Sequence, residues 1–193
     1  MRLSFAEQIQ NANVLLHENE VEKSIENYQE ALSVATTPEQ KLHLYSVLGR
    51  LYQRTKNPEL SIEAFENALG LMEWNDQLGT PIDRASILNN IAAIQSEMDK
   101  AKAIDHYKKA LSIYAEIVQN GESDYGPHLA NTQFALAEVY AKKKDYYFAK
   151  KYYKEAIKIY ESLKGPDYLR LRASAHYQLG NIYTDEFNLF DAK

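Results

Sequence analysis

The sequence predicts an all-α solenoid of antiparallel helix pairs, and three observations predict it. A small residue recurs as Ala12, Gly49, Ala92, Ala137 and Gly180, in steps of 37, 43, 45 and 43. In the first four units an aromatic residue follows, Tyr28, Phe65, Tyr107 or Tyr153, and three residues later comes Ala31, Ala68, Ala110 or Ala156. All five prolines stand where a helix would begin, and none falls inside one. Small side chains let two helices approach closely, and aromatic rings fill the space beside them. Each unit therefore reads as a helical hairpin that nests on the next.

The clearest unit runs from Ala130 to Tyr160. Leu136, Ala137 and Tyr140 share one face of its first helix, and Ala149, Tyr153 and Ala156 share one face of its second. At the N-terminus, Ser4 and Glu7 form a capping box, a first helix runs to about His17, and Asn19 starts the turn into a second helix over 21–35. Thr37-Pro38, Asn57-Pro58 and Thr80-Pro81 each place a capping residue before a proline at the first helical position, where its missing donor costs nothing. Gly126-Pro127 and Gly165-Pro166 punctuate the last two linkers, and the stretches 74–80 and 119–127 carry the extra length. Two units depart from the pattern. The first has Ser24 where the clearest unit has Ala149, and the third has Gln95 at an apolar position and an internal turn one residue short. Trp74, the single tryptophan, is expected to extend the packing stripe of its helix.

LYSVLGRLY (44–52) with SIEAFENAL (61–69), and FALAEVY (134–140) with AKKYYKEAI (149–157), resemble the tetratricopeptide repeat, whose minimal period is about 34 residues. The longer steps, and LNNIA (88–92), resemble the form found in kinesin light chains and in bacterial peptide-sensing regulators. The resemblance implies a right-handed superhelical solenoid over residues 1–193, with repeats at about 5–36, 38–73, 81–119 and 127–163 and a partial fifth at 166–193. At the C-terminus Leu179, Ile182, Tyr183, Phe187, Leu189 and Phe190 form an apolar set whose covering helix would lie beyond Lys193, with Ala192 as its first small residue. A chain truncated at that end, or a homo-oligomer formed through the uncovered helix, is the expectation.

Composition narrows the function classes. Hydrophobic content of 45% with 25% charged residues suits a packed soluble protein. The absence of cysteine removes disulfides and thiolate metal sites, and together with an N-terminus lacking an apolar run it suggests a cytoplasmic location. Net charge of −5 argues against nucleic-acid binding, and no apolar run reaches the length that would imply a membrane partner. The charge is uneven: residues 1–100 hold 8 Lys and Arg against 15 Asp and Glu, the remainder 14 against 12. His17, His43, His106, His128 and His176 lie far apart, and the seven glycines make no phosphate-cradling loop. No catalytic residue, metal site or cofactor is expected. The lysines from Lys142 to Lys158 interleave with tyrosines, which reads as a solvated face whose rings pack between helices.

Binding has the better case. In a stacked array the first helices line the concave side. Residues beside their packing stripes are then Asn13; Arg50 and Arg54; Asn89 and Asn90, with Ala93 and Glu97; Asn131, Phe134 and Glu138, with Lys142; and Tyr177, Gln178 and Asn181. Asparagine amides can donate to and accept from a peptide backbone, and arginine can grip a carboxylate with two bonds. The expected function is a non-catalytic scaffold binding a protein or peptide in that groove. The alternative is the ligand-sensing portion of a larger bacterial signalling or transcription regulator. The family mode that captures an acidic C-terminus uses lysines absent from the matching positions, and is disfavoured.

Overall fold

A computed structural model describes residues 3–191, with side chains through Phe187. Among the described residues it contains nine α-helices: α1 Phe5–His17, α2 Val21–Val34, α3 Pro38–Arg54, α4 Pro58–Trp74, α5 Pro81–Met98, α6 Lys100–Gln119, α7 Gly126–Lys142, α8 Tyr146–Ser162 and α9 Pro166–Asp191. A short 3-10 turn, Ser123–Tyr125, occupies the linker before α7. The helices group into two compact units that divide between Ile87 and Leu88, inside α5. In the first, α1 pairs with α2 and α3 with α4; in the second, α7 pairs with α8, while α6 packs on α7 and α8 on α9.

The caps follow from local chemistry. Ser4 accepts from the Glu7 amide while the Glu7 carboxylate accepts from the Ser4 amide at 2.7 Å. Thr37 with Gln40, and Thr80 with Asp83, repeat the device at α3 and α5. Asn57 does not cap α4. Its side chain donates instead to the Thr55 carbonyl at 3.2 Å.

The reason lies in the turn that precedes it. Asn19, Lys56 and Lys144 occupy the left-handed region, with φ of 63°, 59° and 59°. Their amides donate to the carbonyls of Leu16, Gln53 and Ala141, and the next amides, of Glu20, Asn57 and Asp145, reach Leu15, Tyr52 and Tyr140. This paired bonding satisfies the last carbonyls of the first helix and reverses the chain within two residues. A left-handed lysine costs about 1–2 kcal/mol, so the turn is held by its bonds and not by propensity. The α5–α6 turn is the single residue Asp99, against three residues in each of the others, and works differently. Asp99 stays extended at φ −142°, and its carboxylate accepts from the amides of Ala101 and Lys102 at 3.0 and 3.2 Å.

In the first unit the core gathers Ala12, Val21, Ile25, Tyr28, Ala31, Leu44, Leu48, Leu51, Tyr52 and Ala64. Ser24 is no weakness in it. Its hydroxyl donates to the Ala12 carbonyl at 2.8 Å, and Ser61 donates to the Gly49 carbonyl at 2.6 Å, the same bond one unit later. Both serines are fully buried, so each bond prevents an orphaned hydroxyl. At Gly49 an added Cβ would stand 2.6 Å from the Phe65 ring, and only glycine permits that approach. Trp74 does not extend the stripe as expected: it is 74% exposed. α4 ends at Trp74, and the stripe closes two residues earlier on Met72, which is buried and meets Gly79.

In the second unit Ala92, Tyr107, Leu136, Ala137, Tyr140, Ala149, Tyr153, Ala175, Leu179 and Ile182 belong to one core. Gln95 is buried there without penalty, because its Oε1 lies 2.8 Å from His106 Nδ1. Of the apolar C-terminal set, Leu179 and Ile182 are buried, whereas Tyr183 and Phe187 are exposed. The Leu189 and Phe190 side chains and Ala192 lie outside what is described.

Candidate functional site

Each first helix carries the side chains that the repeat pattern places beside its packing stripe. On α1, Asn13 is exposed, and its Oδ1 accepts from the Tyr28 hydroxyl at 2.6 Å. On α3, Arg50 and Arg54 are both exposed but not equivalent. Arg54 Nη2 donates to Asn19 Oδ1 at 2.5 Å, so it ties α3 to the α1–α2 turn. Arg50 lines a cleft of about 320 Å³ with Glu39, His43, Ser46, Asp83 and Ser86. The sequence pattern had not placed Glu39, His43 or Asp83 on the binding face. The cleft exists because the 74–80 linker folds back through Gly79, at φ 74°, where a Cβ would collide with Met72.

The second unit brings more of the predicted residues together. The Thr132 hydroxyl shares its hydrogen between the His128 carbonyl at 2.8 Å and Asn89 Oδ1 at 3.1 Å, and Lys142 Nζ meets Glu97 Oε1 at 2.5 Å. These two ties set residues 88–98 of α5 alongside α7, running in the same direction. Asn131, Phe134 and Glu138 stand at i, i+3 and i+7 of α7 and so share one face. Asn131 is exposed, and its Oδ1 accepts from the Tyr160 hydroxyl at 2.7 Å. Phe134 is half-buried, its ring edge-on to Tyr153 at 5.4 Å between centroids. Asn90 is half-buried on the α5 side.

The asparagine geometry has a chemical consequence. Asn13 and Asn131 each accept a hydroxyl hydrogen from within the fold, and Asn89 shares that of Thr132 with the His128 carbonyl, which leaves their NH₂ groups as the available function. The expected donor-and-acceptor surface is therefore chiefly a donor surface. Thr132 and Tyr160, which orient the amides, escaped notice in the sequence; Tyr160 lies four residues after Ala156, on the same helix face.

Glu138 supplies the acceptor. It is half-buried, and burial first, then the nearby Glu97, pushes its carboxyl above the usual range against the pull of Lys142. Burial together with the Glu138 charge drives the Tyr107 hydroxyl up to about 12 and raises Tyr153 and Tyr160 as well.

On α9, Tyr177 is 69% exposed, and Gln178 Oε1 accepts from Asn181 Nδ2 at 3.4 Å. Three members of the lysine run have partners: Lys142 meets Glu97, Lys150 reaches Glu186 at 2.6 Å and lies over the Tyr183 ring, and Lys151 lies over the Tyr152 ring. Among the described residues no group of three or more His, Asp or Glu could hold a metal ion, and no helix is long and apolar enough to cross a membrane.

One tetratricopeptide-repeat family model matches residues 128–191, and a second matches 42–71. Both stretches are tetratricopeptide repeats. The apo form of RapI superposes on it with a TM-score of 0.79 at 16% identity, covering 96% of this chain and 65% of that one. BtubC (BKLC) from P. vanneervenii gives 0.70 at 21% identity, covering 91% and 72%. A putative kinesin light chain with nearly identical TPR-like repeats from Podosopora anserina gives 0.70 at 15% identity, covering 97% and 89%. At such identities the likeness is one of fold, an all-α solenoid type. No curated protein matches the sequence. In tetratricopeptide terms the candidate faces all belong to first helices; the bonds of Ser24, Ser61, Asn13 and Asn131 tie those helices to the second helices behind them, whereas the Thr132–Asn89 contact joins two first helices.

Proposed function

We propose that this chain is a non-catalytic protein-interaction scaffold that holds an extended peptide segment of its partner on the faces of its first helices. One observation carries the reading. On α7 and the adjoining half of α5, Asn89 and Asn131 keep free amide donors, while Phe134 and Glu138 add an apolar edge and an acceptor on the same side. An extended peptide is complementary to such a surface, because its carbonyls need donors and its side chains need local pockets. Arg50 and its cleft, and Tyr177, Gln178 and Asn181 on α9, extend the reading to further contact points within each unit. The lack of cysteine suits a cytoplasmic setting, and the acidic balance suits a protein ligand over nucleic acid.

The test is a pull-down from native lysate with the wild-type chain and with an Asn89→Ala/Asn131→Ala variant in parallel. A partner retained by the first and lost by the second supports the face. Equal retention removes it.

We further infer that the repeats belong to one array, with α9 in a partial fifth unit, and that a second copy covers the open side of α9. Tyr177, Gly180, Thr184 and Phe187 form a stripe on that helix, exposed throughout, and nothing lies within 4 Å of a Cβ built at Gly180. Light scattering across a concentration series should show a dimer that Phe187→Glu dissociates. A monomer at every concentration would end this part of the reading.

A further inference from the structure

We propose that the α7 face of the second unit selects a basic side chain, lysine or arginine, on a peptide lying along it. The proposal rests on the binding reading above and gives it a ligand chemistry. Glu138 is the centre of the site. Among the described residues its half-buried carboxylate makes no hydrogen bond. A carboxylate withdrawn from water without donors is costly, and a cation with hydrogen-bond donors relieves that cost.

The fold does not supply that cation. Lys142 stands one turn further along α7, but its ammonium sits on Glu97 Oε1 at 2.5 Å. The Lys142–Glu97 pair is neutral as a unit, and Glu138 remains the unbalanced charge. Tyr107, Tyr153 and Tyr160 are the groups behind it, and the hydroxyl of each feels its charge. All three rings are buried, while Glu138 itself keeps part of its surface open to solvent.

The neighbours fit the stem of a long side chain. Phe134 lies one turn before Glu138 and is half-buried, offering an apolar edge along which a methylene chain can run. Across on α5, midway between the two ties to α7, stands Ala93, whose single methyl leaves room. The Asn89 and Asn131 amides flank the site with donors for the peptide carbonyls on either side. An acidic ligand residue here would meet Glu138 and Glu97 together and is disfavoured.

The experiment uses the full chain and phage-displayed random 12-residue peptides, selected in parallel on the wild type and on Glu138→Gln. Binding position is read from the side-chain amide signals of Asn89 and Asn131 in NMR spectra. Wild-type selections should yield peptides that shift both signals and share one lysine or arginine. Glu138→Gln should weaken the best of them at least about tenfold, and replacing its basic residue by norleucine should weaken it equally, with no further loss in the double replacement. Peptides that shift the Asn89 and Asn131 signals but lack a basic residue, or bind Glu138→Gln unchanged, overturn this inference and leave the binding face intact. Selections yielding nothing that shifts those signals overturn the face itself. Circular dichroism of Glu138→Gln distinguishes lost recognition from lost folding.

Discussion

Gly49 and Gly180 occupy the same repeat position, and their surroundings are opposite. Gly49 is buried under the Phe65 ring so closely that a methyl group would collide with it; Gly180 is exposed, with nothing near. Glycine is there a packing requirement in one helix and an ordinary helix-weakening residue in the other. The difference is the second helix: α4 covers α3, whereas no described element covers the corresponding side of α9. A small residue in this pattern takes its meaning from the partner helix, not from its own.

The comparison can be broken in four ways, in falling order of effect. Phe65→Ala should cost about 3–5 kcal/mol in urea unfolding, while Tyr177→Ala on the open stripe should stay within about 0.5 kcal/mol at high dilution. Equal losses would mean that the α9 stripe is covered in solution. Gly49→Ala should destabilise by about 1–3 kcal/mol through overpacking, and Gly180→Ala should stabilise by about 0.5–1 kcal/mol through helix propensity. Matching signs at the two glycines would refute the contrast.

The turns extend the same comparison between like positions. Lys56→Gly and Lys144→Gly should each raise stability by about 0.5–1 kcal/mol, because glycine removes the left-handed strain. Asp99→Ala, at the short third turn, should instead lose about 1 kcal/mol with its cap. Thermal melts at one pH decide both.

The smallest effect concerns Glu138. Its folded-state pKa is raised, so its contribution to stability is present below the ordinary carboxylate pKa and lost as pH rises through the raised value. Near neutral pH the charged form is then a net cost. Glu138→Gln should be at least as stable as wild type near neutrality, with the advantage fading in acid. A variant less stable than wild type near neutrality would mean that the carboxylate is satisfied within the fold.

Much of the architecture was legible because it rests on short-range rules. Ser4 with Glu7 and Thr37 with Gln40 cap their helices from three residues away, and the prolines mark helix starts by lacking a donor. The spacing of Tyr28, Phe65, Tyr107 and Tyr153 located the second helices, and all four rings are buried. Trp74 misled because hydrophobicity does not say where a helix ends. The site was only half legible. Helical offset put Asn131, Phe134 and Glu138 on one face, but not which atoms of the asparagines stay free, nor that Arg54 would be taken by Asn19, 35 positions away.

By itself, then, the sequence determined the helices, their pairing and the repeat to which they belong, since periodicity and capping act within one turn or one hairpin. Only the tertiary structure decided which polar groups are left for a ligand. Thr132 reaches Asn89 across 43 positions and Lys142 reaches Glu97 across 45. Hydrogen bonds and ion pairs of that span depend on how one helix lies against another, a relation that no local pattern of residues encodes.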